Sequence, residues 1–182
     1  MALTAQAVRF GSLGYRKAAK LLKTVFPKKE RIPAFLLLIG TARKTIHFTA
    51  FYDGDTFVGL LYAIENETYY FILYLAVDPA AQSKGYGGRI LDYAYGQAGQ
   101  RNIILNAEPP DASADNAEQR KRRIAFYERH GFSMTDYGFT SDGVQYTVLS
   151  SDLAAFDVKK CEKLFCGVDL KRMKGDADDD KP

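Results

Sequence analysis

A glycine-rich loop is the part of the sequence whose residue types most clearly indicate chemistry. It follows a long apolar run, precedes a segment with helical periodicity, and consists of Gln82, Ser83, Lys84, Gly85, Tyr86, Gly87 and Gly88. Glycine allows the backbone to approach a ligand closely, and the first amides of a helix have no acceptor within the helix. These amides and the helix dipole attract negative charge, so this glycine loop (residues 82–88) predicts a phosphate-binding site. The alternative interpretation is a tight turn that binds nothing.

The order of residues in the glycine loop excludes two common phosphate-binding patterns. A Walker A loop ends in Gly-Lys-Ser/Thr, whereas Gly88 is preceded by glycine and followed by Arg89. A dinucleotide-binding fingerprint needs a third glycine at position 90, where the chain has Ile90. A third pattern, Gln/Arg-x-x-Gly-x-Gly/Ala, is matched by Gln82, Gly85 and Gly87. The loop is therefore predicted to bind phosphate through this third pattern.

Hydrophobic periodicity predicts the elements that hold the glycine loop in place. In chain order these are a strand at residues 5–10, helices at 15–25 and 35–42, strands at 45–52, 56–64 and 69–77, a helix at 85–98, a strand at 102–107, a helix at 117–130, and a hairpin of 132–140 and 143–150. The strand at 69–77 is almost entirely apolar, which is typical of a strand covered on both faces. Asn116, followed by Gln119, predicts a capping box for the helix that begins at Ala117. The element order indicates a single domain of the mixed α/β (α+β) class.

Two motifs of the chain resemble the GNAT superfamily of N-acetyltransferases. The first runs into the glycine loop and reads Leu75-Ala76-Val77-Asp78-Pro79. The second occupies residues 123–132 and contains the aromatic pair Phe126-Tyr127, a short charged stretch and then Gly131-Phe132. The resemblance in element order extends over residues 8–150. It implies a GNAT-like single domain at residues 1–150, in which helices flank a central mixed β-sheet with splayed parallel strands.

The resemblance also implies that acetyl-CoA is the co-substrate, with its diphosphate in the glycine loop. The backbone of the preceding strand would pair with the pantetheine arm, at Leu75, Ala76 and Val77. The amide of Val77, or of its neighbour, would then stabilise the oxyanion that forms from the thioester carbonyl. Asn116, which is first of all a helix cap, would also touch the pantetheine arm with its side chain.

Tyr127 is the candidate general acid, and Glu108 is the candidate base. A phenol has a pKa of about 10, so it is protonated at neutral pH and can donate to a departing thiolate. In the GNAT superfamily a tyrosine at the matching position has this role, whereas a core aromatic residue is the alternative interpretation. Glu108 follows a strand on the expected acceptor side, and its alternative interpretation is a solvated carboxylate. Glu65 is a second candidate for the base.

Composition and charge argue against a metal site, membrane contact and nucleic-acid binding. The 182 residues include only two His, and the spacing of Cys161 and Cys166 is not that of zinc ligands, so no metal site is predicted. The apolar run at residues 34–39 is too short to span a bilayer, and no signal-type segment is found, which predicts a cytoplasmic protein without membrane contact. The net charge is +3, with basic clusters at residues 16–44 and 120–129. These are interpreted as solvated helix faces, with attraction of a phosphorylated cofactor or an acidic substrate as the alternative. Nucleic-acid binding is not predicted, because no recognition motif accompanies the charge.

The sequence leaves the acceptor amine open between several classes. A small amine, an antibiotic, a peptide N-terminus and a protein lysine all fit, and residues 27–41 are expected to set the specificity. A non-catalytic acyl-CoA-binding sensor or partner protein, with the same loop but no working acid, is the alternative function. Residues 151–174 are expected to form a helical extension that packs on the domain or on the second subunit of a homodimer. Residues 175–182 are expected to form a disordered acidic tail.

Overall fold

The structure is a computed structural model that describes residues 3–164 and 169–173 of the 182-residue chain. The chain divides into two compact units, Met1–Ile103 and Ile104–Pro182. Each unit combines strands with helices.

The first unit is built on four antiparallel strands that are adjacent in chain order. These are β1 (Leu3–Ala7), β2 (Ile46–Asp53), β3 (Thr56–Glu65) and β4 (Tyr69–Val77). Its helices are α1 (Leu13–Val25), α2 (Ala34–Gly40) and α3 (Tyr86–Ala98), with 3-10 turns at Lys28–Glu30 and Pro79–Ala81. The tight turn between β2 and β3 contains Gly54 with a φ of 57°, a conformation that glycine adopts at little cost.

One face of this sheet carries α1 and α2 over a core rich in aromatic side chains. Leu37 of α2 is buried with Phe48, Tyr62 and Tyr74 of the strands. The Tyr62 hydroxyl donates to the carbonyl of Leu37 over 3.1 Å, and the Tyr74 hydroxyl donates to the carbonyl of Glu30 over 2.8 Å. Because a buried hydroxyl without a partner is destabilising, these bonds both satisfy the tyrosines and tie the connection between α1 and α2 to the sheet.

The other face of the sheet packs against α3. Side chains alternate along a strand, so Phe51 of β2 faces away from the α1 core and contacts Tyr93 of α3, with ring centroids 5.1 Å apart. Gly59 of β3 lies beneath α3, where an added Cβ would come 2.9 Å from Cδ1 of Ile90 and 2.5 Å from the carbonyl oxygen of Ala76. The missing side chain at Gly59 therefore sets how closely α3 approaches the sheet, and with it the position of the glycine loop.

The second unit combines four strands with two helices. In chain order these are β5 (Asn102–Ala107), which begins just before the unit boundary, α4 (Ala117–Arg129), β6 (Ser133–Ser141), β7 (Val144–Ser150), α5 (Val158–Glu162) and β8 (Lys171–Arg172). The strands are adjacent in the order β5-β7-β6-β8, and each adjacent pair is antiparallel. Helix α4 ends where Gly131 adopts a φ of 85°, as the sequence predicts for a glycine after a helix.

The C-terminal extension differs from the single helical segment that was expected over residues 151–174. Among the described residues of the extension, 151–164 and 169–173, the helix α5 covers Val158–Glu162. Lys171–Arg172 forms β8, which pairs with β6 through Tyr137 and Gly138. A Cβ at Gly138 would lie 2.6 Å from Sδ of Met173, so glycine allows this close approach. The extension adds a strand because the open edge of β6 offers backbone groups that a helix could not satisfy. The acidic tail expected at residues 175–182 lies outside the described residues.

The predicted elements between residues 45 and 150 are all present, with each end within one residue of its predicted position. The N-terminal elements differ more: β1 covers Leu3–Ala7 where residues 5–10 were expected, and α2 covers Ala34–Gly40 where residues 35–42 were expected. Strand β1 ends early because the chain turns before α1. In this turn the amide of Ser12 donates to the carbonyl of Arg9 over 3.1 Å, and Gly11 has a φ of 74°.

Gly59→Ala should destabilise the protein, because the new methyl group would push α3 or β4 out of place. We expect a loss of about 1–3 kcal/mol in the free energy of unfolding, measured by urea denaturation. Gly96→Ala is the matched control, since Gly96 is exposed on α3 and an added Cβ meets no atom within 4 Å. This control should gain about 0.5–1 kcal/mol from the higher helix propensity of alanine. Equal effects of the two substitutions would contradict the role assigned to Gly59.

Candidate functional site

The glycine loop leaves the end of β4 through one 3-10 turn. The carboxylate of Asp78 accepts a hydrogen bond from the amide of Ala80 over 3.0 Å, and the amide of Asp78 donates to the carbonyl of Val58 in β3 over 2.9 Å. The side-chain amide of Gln82 lies 3.5 Å from the carbonyl oxygen of Val77, the last residue of β4. The first part of the loop is thus held against the end of the sheet.

The backbone of the glycine loop leads into a helix N-terminus whose amides receive no capping hydrogen bond from a side chain. Ser83 and Gly85 have positive φ values of 62° and 78°, and Gly85 is the N-cap of α3. The first hydrogen bond of the helix runs from the amide of Arg89 to the carbonyl of Gly85 over 3.3 Å. The amides of residues 86–88 therefore have no acceptor within the helix, and the first turn of α3 contains no acidic residue. Three backbone donors and the positive end of the helix dipole form a site suited to an anion.

Tyr86, the first residue of α3, is contacted by two charged side chains. Its hydroxyl donates to Oδ2 of Asp53 over 2.6 Å, and the guanidinium of Arg89 lies 5.5 Å from the centre of its ring. The hydrogen bond to Asp53 is the main cause that raises the pKa of Tyr86 above its ordinary value. The hydroxyl therefore keeps its proton and its bond to the end of β2 throughout the neutral pH range.

Glu108, in the second unit, lies at the centre of an ion-pair network. It follows β5, and 7% of its surface is exposed. Its Oε1 pairs with Arg120 over 2.7 Å, and its Oε2 pairs with Arg123 over 3.4 Å. The side chain of Asn116 donates to Oε2 of Glu108 over 3.2 Å and accepts from Nε of Arg120 over 2.7 Å. Two arginines one turn apart on α4 thus converge on one carboxylate.

The capping box predicted at Asn116 is wrong. Asn116 is the N-cap residue of α4, but its side chain makes no capping hydrogen bond. Its φ of −105° and ψ of 23° differ from the extended conformation of a typical N-cap. The side-chain amide is engaged by Glu108 and Arg120 instead, so the ion-pair network replaces the cap.

Tyr127 lies one turn after Arg123 on α4 and is half-buried. Its ring packs against Phe126 and Phe132, with centroid distances of 5.3 Å and 5.9 Å. Burial raises the pKa of the Tyr127 hydroxyl, and the nearby charge of Arg123 opposes this increase. The phenol is therefore protonated at neutral pH, which is the state that a general acid requires.

Glu65 lies far from the glycine loop within the first unit. It pairs with Tyr70 at the start of β4, whereas the loop follows Val77 at the end of that strand. Seven residues of strand correspond to about 23 Å. Its carboxylate is engaged by His47 over 3.2 Å and by Arg101 over 3.1 Å. The structure therefore gives Glu65 a place in an ion-pair cluster away from the loop.

The predicted site residues form one group in each unit. In the first unit, the turn at Pro79–Ala81 connects the glycine loop to the strand end that contains Leu75, Ala76 and Val77. In the second unit, Glu108 contacts Asn116, and Tyr127 follows on the helix that Asn116 begins. Lys84 of the loop is exposed.

Sequence reasoning missed three residues of these groups. Asp53 was not among the candidate site residues, and no local signal indicates its bond to Tyr86, which joins positions 33 residues apart. Arg120 and Arg123 were interpreted as part of a solvated helix face. They are one helical turn apart on α4, the helix that follows β5 and Glu108. This spacing is the signal that could have indicated a shared carboxylate.

The described residues contain no group of three or more His, Cys, Asp or Glu side chains that could hold a metal ion. Within the same part of the chain, none of the helices combines the length and the apolar character that crossing a membrane requires.

Known protein families and structures are similar to the chain over much of its length. A family model described as an acetyltransferase (GNAT) domain matches residues 43–134. A GNAT-family protein from Bacteroides thetaiotaomicron is 25% identical, with a TM-score of 0.72, and the match covers 91% of this chain and 99% of that one. No curated protein matches the chain in sequence.

Two more distant structures show the fold alone. Naa50 from Arabidopsis thaliana, in complex with the bisubstrate analogue CoA-Ac-MVNAL, is 16% identical with a TM-score of 0.62, covering 84% of this chain and 100% of that one. The aminoglycoside 6'-N-acetyltransferase from Enterococcus faecium is 17% identical with a TM-score of 0.61, covering 82% of this chain and 96% of that one. The predicted mixed α/β class and the GNAT-like fold are confirmed.

Glu108→Ala should destabilise the protein, because two arginines would lose the carboxylate between them. We expect a loss of about 2–4 kcal/mol in the free energy of unfolding, measured by urea denaturation. Asp136→Ala is the matched control, since the pair of Asp136 and Arg172 spans 3.8 Å and its side chains are 74% and 77% exposed. The control should lose less than about 0.5 kcal/mol. If both variants lost the same amount, the network around Glu108 would not have the structural role described.

Proposed function

Because the chain belongs to the GNAT acetyltransferase family, we propose that it transfers an acetyl group from acetyl-CoA to a primary amine by direct attack. The observation that carries this proposal is the start of α3, where three amides without helical acceptors follow a loop with two positive φ values. The diphosphate of coenzyme A suits such a helix start. The CoA analogue bound to the distant relative Naa50 supports acetyl-CoA as the donor.

The donor is held mainly by backbone groups in this proposal. The amides of the glycine loop bind the diphosphate, and the exposed Lys84 adds positive charge beside it. The backbone of Leu75, Ala76 and Val77 pairs with the pantetheine arm like an added strand. The side chain of Asn116 holds Glu108 and Arg120 in place with one donor and one acceptor site, and its second N–H group and second lone pair can contact the arm.

Acetyl transfer needs a neutral amine, a stabilised oxyanion and a protonated leaving group. The amine nitrogen attacks the thioester carbonyl carbon, and the amide of Val77 stabilises the negative charge that moves to the carbonyl oxygen. When the bond between carbon and sulfur breaks, its electron pair goes to sulfur. Tyr127 then donates its phenolic proton to that thiolate, which gives free CoA and the N-acetylated amine.

Glu108 is our candidate for the group that accepts the proton of the attacking amine. Both of its oxygens are engaged, so it takes a proton more readily once one of its partners has moved away. Arg123 is the partner that exchanges most easily, because its distance is 3.4 Å and 36% of its side chain is exposed. Arg120, at 2.7 Å and 17% exposed, keeps the carboxylate in position.

The acceptor is proposed to be a primary amine of a small molecule or a peptide. The analogue bound to Naa50 carries the peptide MVNAL, whereas the Enterococcus faecium relative is named for aminoglycosides. These relatives differ in acceptor class, so the similarity supports an amine acceptor without selecting its class. Assays with a panel of amine substrates identify the class.

Tyr127→Phe should lower kcat by about 100- to 10,000-fold, because the thiolate would depart without its proton donor. The Kd of acetyl-CoA, measured by calorimetry, should not change. The kcat values are measured from the rate of CoA release, with a peptide amine and with an aminoglycoside as acceptors. Burial raises the pKa of Tyr127 above its ordinary value, so kcat should be lost on the alkaline side only above a pH of about 10.

Tyr137→Phe is the control for this experiment, since it removes a phenolic hydroxyl from the same unit and should change neither kcat nor Kd. A protein that binds acetyl-CoA but turns over no amine, and is indifferent to Tyr127→Phe, would be the non-catalytic acyl-CoA sensor instead.

Gly85→Ala should weaken CoA binding, because alanine disfavours the φ of 78° that aims the first amides of α3. Gly143→Ala is the matched control: Gly143 also has a φ of 78°, and at both positions an added Cβ meets no atom within 4 Å. Both variants should lose about 1–2 kcal/mol of stability from backbone strain. Only Gly85→Ala should also raise the Kd of CoA, by about 5- to 20-fold, as for one or two lost hydrogen bonds.

Thermal shift measurements with CoA, ATP and NAD test the ligand class itself. CoA at 100 times its Kd should stabilise the wild-type protein by about 2.7 kcal/mol. Stabilisation by ATP or NAD but not by CoA would overturn the proposed function.

A further inference from the structure

Tyr86 links the glycine loop to a strand that lies elsewhere in the first unit. It is the first residue of α3, so its backbone amide is one of the three donors proposed for the diphosphate. Its side chain reaches the end of β2, where the hydroxyl donates to Oδ2 of Asp53 over 2.6 Å. The distance is that of a strong, charge-assisted hydrogen bond.

The carboxylate of Asp53 has one oxygen bonded to Tyr86 and one oxygen that is buried. Its Oδ1 is buried and has no hydrogen-bond partner among the residues that the structure describes. A buried carboxylate oxygen without a partner is destabilising, so the bond from Tyr86 matters more than an exposed one would. Asp53 is also fixed in space, because it ends β2 and is paired with Thr56 across the hairpin.

We propose that Asp53 is a positioning residue for the acyl donor, acting through Tyr86 to fix the first turn of α3 so that its amides face the diphosphate. This inference rests on the proposed function. A loop with two positive φ values has several accessible conformations when no side chain restrains it. The bond from Tyr86 to the rigid end of β2 selects one of them before the ligand arrives, which lowers the entropy lost on binding.

The same bond compensates the negative charge of Asp53. A carboxylate at the end of the sheet opposes the binding of a nearby diphosphate, and a hydroxyl donor disperses part of that charge. The guanidinium of Arg89, over the ring of Tyr86, contributes charge of the favourable sign. Loss of the Tyr86 hydroxyl should therefore be worse for CoA binding than loss of the charge of Asp53.

The test compares Tyr86→Phe with Asp53→Asn in the full chain. Tyr86→Phe should raise the Kd and KM of acetyl-CoA by about tenfold, as for a lost hydrogen bond to a charged group, and leave kcat at saturation unchanged. Asp53→Asn keeps an acceptor oxygen and removes the charge, so its Kd should stay within about threefold of wild type. Phosphorus NMR of bound CoA should show the diphosphate resonances displaced towards those of free CoA in Tyr86→Phe only.

Tyr95→Phe is the control on the same helix, more than two turns from Tyr86, and should leave the Kd unchanged. The inference is overturned if wild type and Tyr86→Phe bind CoA equally well. A fall in kcat and melting temperature without a change in Kd would show that the bond only stabilises the fold. Failure of wild type to bind CoA would refute the proposed function and this inference together.

Discussion

Helix α3 starts close to the end of β4 and has no capping side chain, so its first backbone amides have no acceptor within the helix. This constraint determines how the first unit is built around the glycine loop. The glycines that let the backbone turn also remove the side chains that could stabilise it. The surrounding sheet supplies the missing restraint at three points. Asp78 fixes the turn after β4, Gly59 lets α3 lie close to the strands, and Asp53 receives the hydroxyl of Tyr86. The order of the loop thus comes from the sheet, and a ligand can find the amides already aligned.

The second unit uses a different kind of interaction. Its candidate residues depend on side chains: the phenol of Tyr127 is tuned by burial, and the carboxylate of Glu108 is fixed by two guanidinium groups and an amide. Anion binding by backbone amides tolerates many side chains, whereas proton transfer depends on the identity and environment of single groups. Under the proposed function, changes in the glycine loop should therefore appear as changes in affinity, and changes at Tyr127 as changes in rate.

Most of the fold could be predicted because most of its helices and strands have a recognisable pattern of apolar residues within their own segment. Strand β4 and helices α3 and α4 each depend on patterns of neighbouring residues, and each was predicted to within one residue at either end. The side-chain network of Asn116 was missed because an amide can cap a helix or bind a carboxylate, and only the folded chain decides between them. The contact of Asp53 with Tyr86 could not be predicted from the sequence either. It depends on how α3 packs on the sheet, which no periodicity encodes.

The short strand β8 has a consequence for how the protein behaves in concentrated solution. Strand β6 would otherwise present its backbone groups along an open edge, and open edges are templates for pairing between molecules. Two residues of β8 and the amide of Met173, which donates to the carbonyl of Asp136 over 2.7 Å, occupy the middle of that edge. Gly138 makes this cover possible, since any larger side chain would meet Met173. The short strand β8 thus covers part of an edge with which another molecule could otherwise pair, and removal of this segment by a protease should expose that edge.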